Sequence, residues 1–207
     1  MQYFEVHPEN PQRRLLSQAA EIVRQGGVIA YPTDSCYALG CHIGEKEPME
    51  RILRLRQLPP DHNFTLICRD LSDISAYAQV DNQAYRLLKS LTPGPYTFIL
   101  AASREVPRRL QNPKRRTIGL RVPDHPVVNL LLELLGEPLM SVTLIEPGAD
   151  LPLTDPEEIR EQLGSQIDLL VDGGPCGHEP TTIIDLTGQA PVVLREGKGD
   201  VSFLGGG

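Results

Sequence analysis

Residues 26–40 read Gly26-Gly27-Val28-Ile29-Ala30-Tyr31-Pro32-Thr33-Asp34-Ser35-Cys36-Tyr37-Ala38-Leu39-Gly40. From Val28 to Tyr31 the chain is apolar or aromatic without a break, the character of a buried strand. The two glycines ahead of it stop a helix expected over Pro11 to Gln25, on which Leu15, Ala19, Ile22 and Val23 share one face and proline stands near the start. Behind the strand, Pro32-Thr33-Asp34-Ser35 makes a turn that holds two hydroxyls and a carboxylate at the strand end. Helix, glycine stop, buried strand and polar turn form a unit of an α/β sheet, and such strand ends are where open α/β sheets hold ligands. Taken alone, a turn of this composition is equally common as a plain connection.

The same alternation continues along the chain. Further strands are expected at Thr65 to Cys68, Thr97 to Ala101, Ile118 to Val122, Leu139 to Thr143, Leu169 to Val171, Thr182 to Leu186 and Val192 to Leu194. Helices are expected at Glu47 to Arg56, Asn82 to Leu91, Pro126 to Leu135 and Pro156 to Leu163. The last of these is entered through Thr154-Asp155-Pro156-Glu157-Glu158, which supplies a cap, a proline and an acidic first turn. Fewer helices separate the later strands, so the sheet is expected to be mixed rather than purely parallel. No internal repeat or linker divides the chain, and residues 1–207 read as one domain, with 203–207 expected as a flexible tail.

Composition narrows the function classes. Of 207 residues, 40% are apolar and 23% charged, an ordinary globular balance that argues against disorder. No basic leader opens the chain and no run of about 18 apolar residues occurs, so neither secretion nor membrane insertion is read and a cytoplasmic protein is expected. Cys36, Cys41, Cys68 and Cys176 form no CxxC pair and no cluster with histidine, which leaves a zinc site or disulfide framework without support. With no Trp, four Phe and six Tyr, base stacking on single-stranded nucleic acid has few platforms. The net charge of −7 hides an uneven distribution: Arg51 to Arg121 holds 13 basic and five acidic residues, a local +8, against −15 elsewhere. Clustered cations of this kind concentrate an anionic ligand, although a solvated basic face has the same signature.

Arg54 and Arg56 alternate near the end of a helix, before Pro59-Pro60, and are expected to project two guanidinium forks toward a polyphosphate or carboxylate. Cations in a last helical turn also simply complement the macrodipole, and Arg51 reads that way. Tyr31 to Gly40 now resembles the PTDTVYGLG segment, and Arg54 to Asn63 the Lys-x-Arg-Pro…Asn-Pro-Leu segment, of the YrdC-type threonylcarbamoyl-AMP synthases. Pro93 to Leu100 resembles that family's PGPxTxIL, Thr117 to Pro126 its T-x-x-x-R-x-P-x-H-P, and Pro138 to Thr143 stands at its P-x-x-S-x-S-A-N stretch. Pro180 to Leu186 and Val193 to Gly197 resemble PSTVVDL and LRxG. The motifs come in order over nearly the whole chain. The sequence is most similar to the YciO branch, whose members carry RxRQLP with an inserted His-Asn-Phe.

The resemblance implies a single-domain twisted mixed sheet with flanking helices and a basic concave surface that takes ATP with Mg²⁺, threonine or a similar amino acid, and bicarbonate, for tRNA modification. It implies catalytic roles for Arg54 and Arg56; contacts to the nucleotide from Arg56, Asn63, Thr117 and Arg195; and contacts to the amino acid from Thr33, Arg121, Thr143 and Thr181. No metal-ligating residue is assigned. Three positions depart from the family pattern: Arg54 stands for its Lys, Ile145 for the Asn of Ser-Ala-Asn, and Cys68 for the His after Asn-Pro-Leu. A fork in place of a compact ammonium, and the loss of two polar groups, lead us to expect a weakened or altered reaction. The alternative is a module that binds double-stranded RNA or tRNA without turnover, through Arg108, Arg109, Lys114, Arg115 and Arg116, with Arg104 beside them.

Overall fold

Gly26 and Gly27 act as the expected stop. The first helix, α1 (Arg13–Arg24), ends as Gly26 turns to φ +86°, and a Cβ on Gly27 would lie 2.5 Å from Ile22 Cγ2 and 2.7 Å from the Ile22 carbonyl oxygen. Only glycine lets the chain pass so close to the helix it has just left. The strand that follows, β2 (Ile29–Tyr31), is wholly buried. A computed structural model describes residues 1–204.

The remaining strands are β1 (Gln2–Glu5), β3 (Ala38–His42), β4 (Thr65–Ile67), β5 (Tyr96–Ala101), β6 (Thr117–Arg121), β7 (Leu139–Thr143), β8 (Leu169–Asp172), β9 (Thr182–Asp185) and β10 (Val192–Arg195). They join in one sheet, in the order β1-β8-β2-β3-β7-β4-β6-β5-β9-β10. Its pairings are mixed, as expected: β8 runs parallel to β1 and β2, β4 to β6 and β5 to β9, and the other pairs are antiparallel. The remaining helices are α2 (Lys46–Arg56), α3 (Leu71–Tyr77), α4 (Asn82–Leu91), α5 (Pro126–Leu135) and α6 (Pro156–Leu163). Asp155 caps α6 by accepting from the Glu157 N–H at 3.0 Å, and His125 caps α5 by accepting from the Val127 N–H at 3.2 Å, each with proline at the next position.

Helices cover the two faces unequally, and this positions the site. On one face α2, α3, α4 and α6 bury Met49, Ile52, Ile74, Leu88, Ile159 and Leu163 against strand residues from Ala30 to Ile184, nearly the full width of the sheet. On the other, α1 and α5 bury Leu16, Val23, Val128 and Leu131 against β1, β2, β8 and their neighbours, and no residue of β5, β6, β9 or β10 joins that cluster. Full burial of each such side chain stabilises the fold by about 1.5–3 kcal/mol. The uncovered half of that face is where the candidate site lies.

Three elements were not among the expected ones. β1 is a short edge strand, β3 follows the Pro32–Ser35 turn in a stretch given no element, and α3 is a seven-residue helix capped by Asp70. β3 was hidden by its small residues. Gly40 passes between Tyr31 and Leu139, where a Cβ would lie 2.8 Å from Tyr31 Cε1 and 2.7 Å from Leu139 Cδ2. Of the expected 203–207 tail, Phe203 and Leu204 belong to a 3₁₀ turn at Ser202–Leu204, with Leu204 packed on the core. Residues 205–207 lie outside the described residues.

Candidate functional site

The turn after β2 is held by one hydroxyl. Thr33 Oγ1 accepts from the N–H groups of Ser35 and Cys36, both at 3.1 Å, and donates to the Cys36 carbonyl at 2.6 Å. This geometry aims the next two side chains at Arg121, the last residue of β6. Arg121 Nη2 pairs with Asp34 Oδ1, and its Nη1 donates to Ser35 Oγ at 3.2 Å. The second Asp34 oxygen accepts from the Asp124 N–H at 2.9 Å. Arg121 is only 6% exposed, yet its Nε has no hydrogen-bond partner among the described residues. An orphaned buried donor of this kind costs about 1–3 kcal/mol.

Arg121 lines a cavity of about 220 Å³ over the uncovered half of the sheet. Arg56 from the end of α2 and Arg195 from the end of β10 close on it, with His62 and Asn63 from the loop before β4. Hydroxyls of Ser35, Thr65, Thr97, Ser141, Thr143 and Thr181 fill the floor between them, and no lining residue is Asp or Glu. The hydroxyls are organised in pairs: Thr97 and Thr181 at 2.7 Å, and Ser141 with the Tyr31 hydroxyl at 2.5 Å. Arg195 lies back on Thr181, giving Nε and Nη2 to its carbonyl at 3.0 and 2.8 Å. Arg56 gives Nε to the Ile145 carbonyl, and Asn63 Oδ1 accepts from Asn112 Nδ2 at 2.7 Å. Neutral oxygens that hold cationic forks leave the charge uncompensated, and an anion is what would compensate it.

Burial lowers the pKa of His62 below its ordinary value, and the neighbouring Arg56 charge pushes the same way. Burial also raises the Cys36 thiol, against the pull of Arg121, Lys198 and Arg195. A neutral imidazole and a neutral thiol therefore face the arginines.

The structure brings together Arg56, Asn63, Arg121, Thr143, Thr181 and Arg195 of the expected site. Thr33 stands behind the lining with its hydroxyl spent on the turn. Thr117 is buried on β6 two residues from Gly119 and is not among the lining residues. Arg54 is corrected outright: it is exposed in a separate surface groove with Glu50, Leu53 and Leu58. Residues two apart on a helix point about 200° apart, which sets Arg54 on the other side of α2 from Arg56. Cys68 is corrected as a ligand-group position too. It is fully buried on the opposite face, where burial holds its thiol pKa high, and Ile67 is the neighbour that reaches the cavity.

The expected RNA patch is thinner in space than in sequence. Arg115 donates to Asp185 Oδ2 at 3.0 Å and to Thr187 Oγ1 at 2.7 Å, and Arg109 donates to the Ile43 carbonyl at 2.5 Å. Arg104, Arg108, Lys114 and Arg116 remain exposed. Asp34 and Ser35 belong to the turn expected to hold polar groups at the strand end, whereas His62, Thr97 and Ser141 were not foreseen as members of the site. A signal existed for Thr97 and Ser141, each a polar residue buried inside a strand of apolar neighbours; nothing comparable marks His62.

The family model described as Telomere recombination, covering Sua5, YciO and YrdC, matches residues 21–197. The uncharacterized YciO of Escherichia coli (strain K12) is 60% identical over 200 residues, which is 97% of each chain. Its crystal structure superposes with a TM-score of 0.94, covering 97% of this chain and 98% of that one. The threonylcarbamoyl-AMP synthase of Vibrio vulnificus (strain YJ016) is 33% identical over 187 residues, 88% of this chain and 98% of that protein. Sua5 of P. abyssi, solved in complex with L-threonine, has a TM-score of 0.87 at 28% identity, covering 95% of this chain and 58% of that one.

Proposed function

The chain belongs to the Sua5/YciO/YrdC family, and from that premise we propose that its cavity binds a nucleoside triphosphate beside a small amino acid and carries out chemistry related to threonylcarbamoyl-AMP synthesis in the cytosol. The observation that carries this reading is a lining of three arginines and six serine or threonine hydroxyls with no Asp or Glu among the lining residues. Mg²⁺ arrives with the triphosphate as part of the substrate.

In the reaction, the carboxylate oxygen of an N-carboxylated amino acid attacks the α-phosphorus. The new O–P bond forms as the bond to the leaving pyrophosphate breaks, and negative charge spreads over both ends. Arg56 and Arg195, both lining the cavity, are the cations that would meet that charge. Arg121, fixed by Asp34 and Ser35, brings its guanidinium to the cavity wall as the partner of the amino-acid carboxylate. The threonine and serine hydroxyls supply donors that need no reorganisation as the charge develops. Ile145 presents only its carbonyl, already engaged by Arg56, where the family pattern has an amide, so turnover below that of the Vibrio synthase is expected.

The test is calorimetric titration with ATP and Mg²⁺, followed by pyrophosphate release in the presence of threonine and bicarbonate. Binding that weakens about tenfold or more in Arg56→Ala supports the nucleotide site; unchanged affinity in that variant removes it. A second reading, RNA binding without turnover, draws on the exposed Arg104, Arg108, Lys114 and Arg116 and is tested by salt dependence.

A further inference from the structure

The segment after β10 continues from Arg195 beside the site, and its path is tightly specified. Gly197 N–H donates to Thr182 Oγ1 at 3.0 Å, Lys198 N–H to the Pro180 carbonyl at 2.8 Å, and Thr182 Oγ1 to the Gly199 carbonyl at 2.6 Å. The Tyr96 hydroxyl then holds the Asp200 carbonyl at 2.8 Å. Gly197 lies against the backbone oxygens of Pro180 and Thr181, where a Cβ has no room. A backbone pinned at four successive residues leaves one mobile group facing the site, the Lys198 side chain. That side chain is exposed, and its ammonium donates to the Asp34 carbonyl, next to the lining residue Ser35.

The charges of Arg121, Lys198 and Arg195 all pull the Cys36 thiol pKa down against its burial. Cys36, Arg121 and Arg195 line the cavity, and Lys198 stands just outside that lining, bound to the residue before Ser35. The carboxylate of Asp34 is already shared between Arg121 and the Asp124 N–H. Lys198 therefore has a single neutral carbonyl as its partner. An ammonium on a four-carbon stem, tied by one neutral hydrogen bond beside a cationic cavity, can transfer to a phosphate oxygen by rotation of its own side chain.

We propose that Lys198 is a polyphosphate-binding residue that leaves the Asp34 carbonyl and closes over the terminal phosphates of the bound nucleotide. It supplies at the rim the ammonium that position 54, turned to solvent on α2, cannot deliver. This inference rests on the nucleotide reading of the cavity and assigns which residue senses phosphate number.

The experiment titrates wild type, Lys198→Ala, Lys198→Arg and Arg56→Ala with AMP, ADP and ATP at fixed Mg²⁺, and records thermal midpoints without ligand. Lys198→Ala is expected to weaken ATP about tenfold and AMP less than twofold, with Lys198→Arg recovering most of the loss. A latch that serves only to hold the segment would weaken all three nucleotides alike and lower the unliganded midpoint, and that pattern overturns the proposal. Equal affinities of wild type and Lys198→Ala for ATP overturn it as well. Failure of the nucleotide reading itself looks different: wild type then binds none of the three, and Arg56→Ala changes nothing.

Discussion

Asp34 is the residue on which the buried charge of the site depends. Its two oxygens serve Arg121 and the Asp124 N–H, and both members of the pair are almost removed from water, with side chains 10% and 8% exposed. Losing one partner leaves a buried guanidinium without a counter-charge, which costs about 3–5 kcal/mol in comparable pairs. Asp34→Ala is accordingly expected to lose about 3 kcal/mol in urea unfolding with an unchanged slope. Loss under 1 kcal/mol would mean that Arg121 finds water or another acceptor. His62 makes a second prediction, about pH. Burial and Arg56 lower its pKa below 6.5, so the unfolded chain takes up this proton first, and its contribution to stability is lost as pH falls from about 6.5 through the folded value. Ligand binding has the opposite sign. A phosphate beside the imidazole favours its protonated form, so ATP affinity should rise as pH falls from 8 toward 6, with proton uptake that calorimetry in buffers of different ionisation enthalpy reads directly. His62→Asn should abolish that uptake; uptake that persists assigns the proton to another group.

At the scale of elements, α2 separates what was legible in the sequence from what was not. Its existence and its end before Pro59-Pro60 follow from apolar spacing and proline, and α4, α5 and α6 match their expected bounds because caps and prolines mark them. Which residues of α2 face the ligand is a matter of helical phase: Arg56 is half-buried at the cavity while Arg54 is exposed on the other side. The expected outcome is asymmetric. Arg54→Ala should leave ATP affinity within twofold of wild type, while Arg56→Ala lowers it tenfold or more, and reversal of that order would require α2 to be rotated in solution. A back-substitution of Arg54 to lysine is not expected to raise turnover for the same reason. β3 was unreadable for another cause. Ala38, Gly40 and Cys41 carry little strand propensity, and they form a strand because a neighbour on each side, β2 and β7, demands a thin one. Thr33 and Thr117 show the limit of motif transfer: a hydroxyl at the right position in sequence can be spent on its own turn, or sit one pleat beyond the lining.

Over the whole molecule, charge that is segregated in sequence is partly recombined by the fold. The +8 stretch from Arg51 to Arg121 draws counter-charges from outside itself: Asp168 pairs with Arg51 at 2.8 Å, Asp185 with Arg115 at 3.0 Å, and Asp34 with Arg121. The cations without a carboxylate partner include Arg56 at the cavity and the exposed quartet Arg104, Arg108, Lys114 and Arg116. These two groups predict separable behaviour. If RNA binds the quartet, each phosphate it neutralises adds about 0.7–0.9 to the slope of log affinity against log salt, so charge reversal of all four should reduce the slope by about 3. Arg115→Ala should change that slope little, because its guanidinium is already held by Asp185 and Thr187, and should instead cost about 1 kcal/mol of stability, a figure kept small by the half-exposure of Arg115. Adding ATP separates the sites: a nucleotide held in the cavity leaves the RNA slope unchanged, whereas competition would place the RNA across the opening at Arg195 and Lys198. A wild-type slope near zero, with RNA retained only at low salt, would reduce the quartet to surface charge and leave the cavity as the chain's functional anion site.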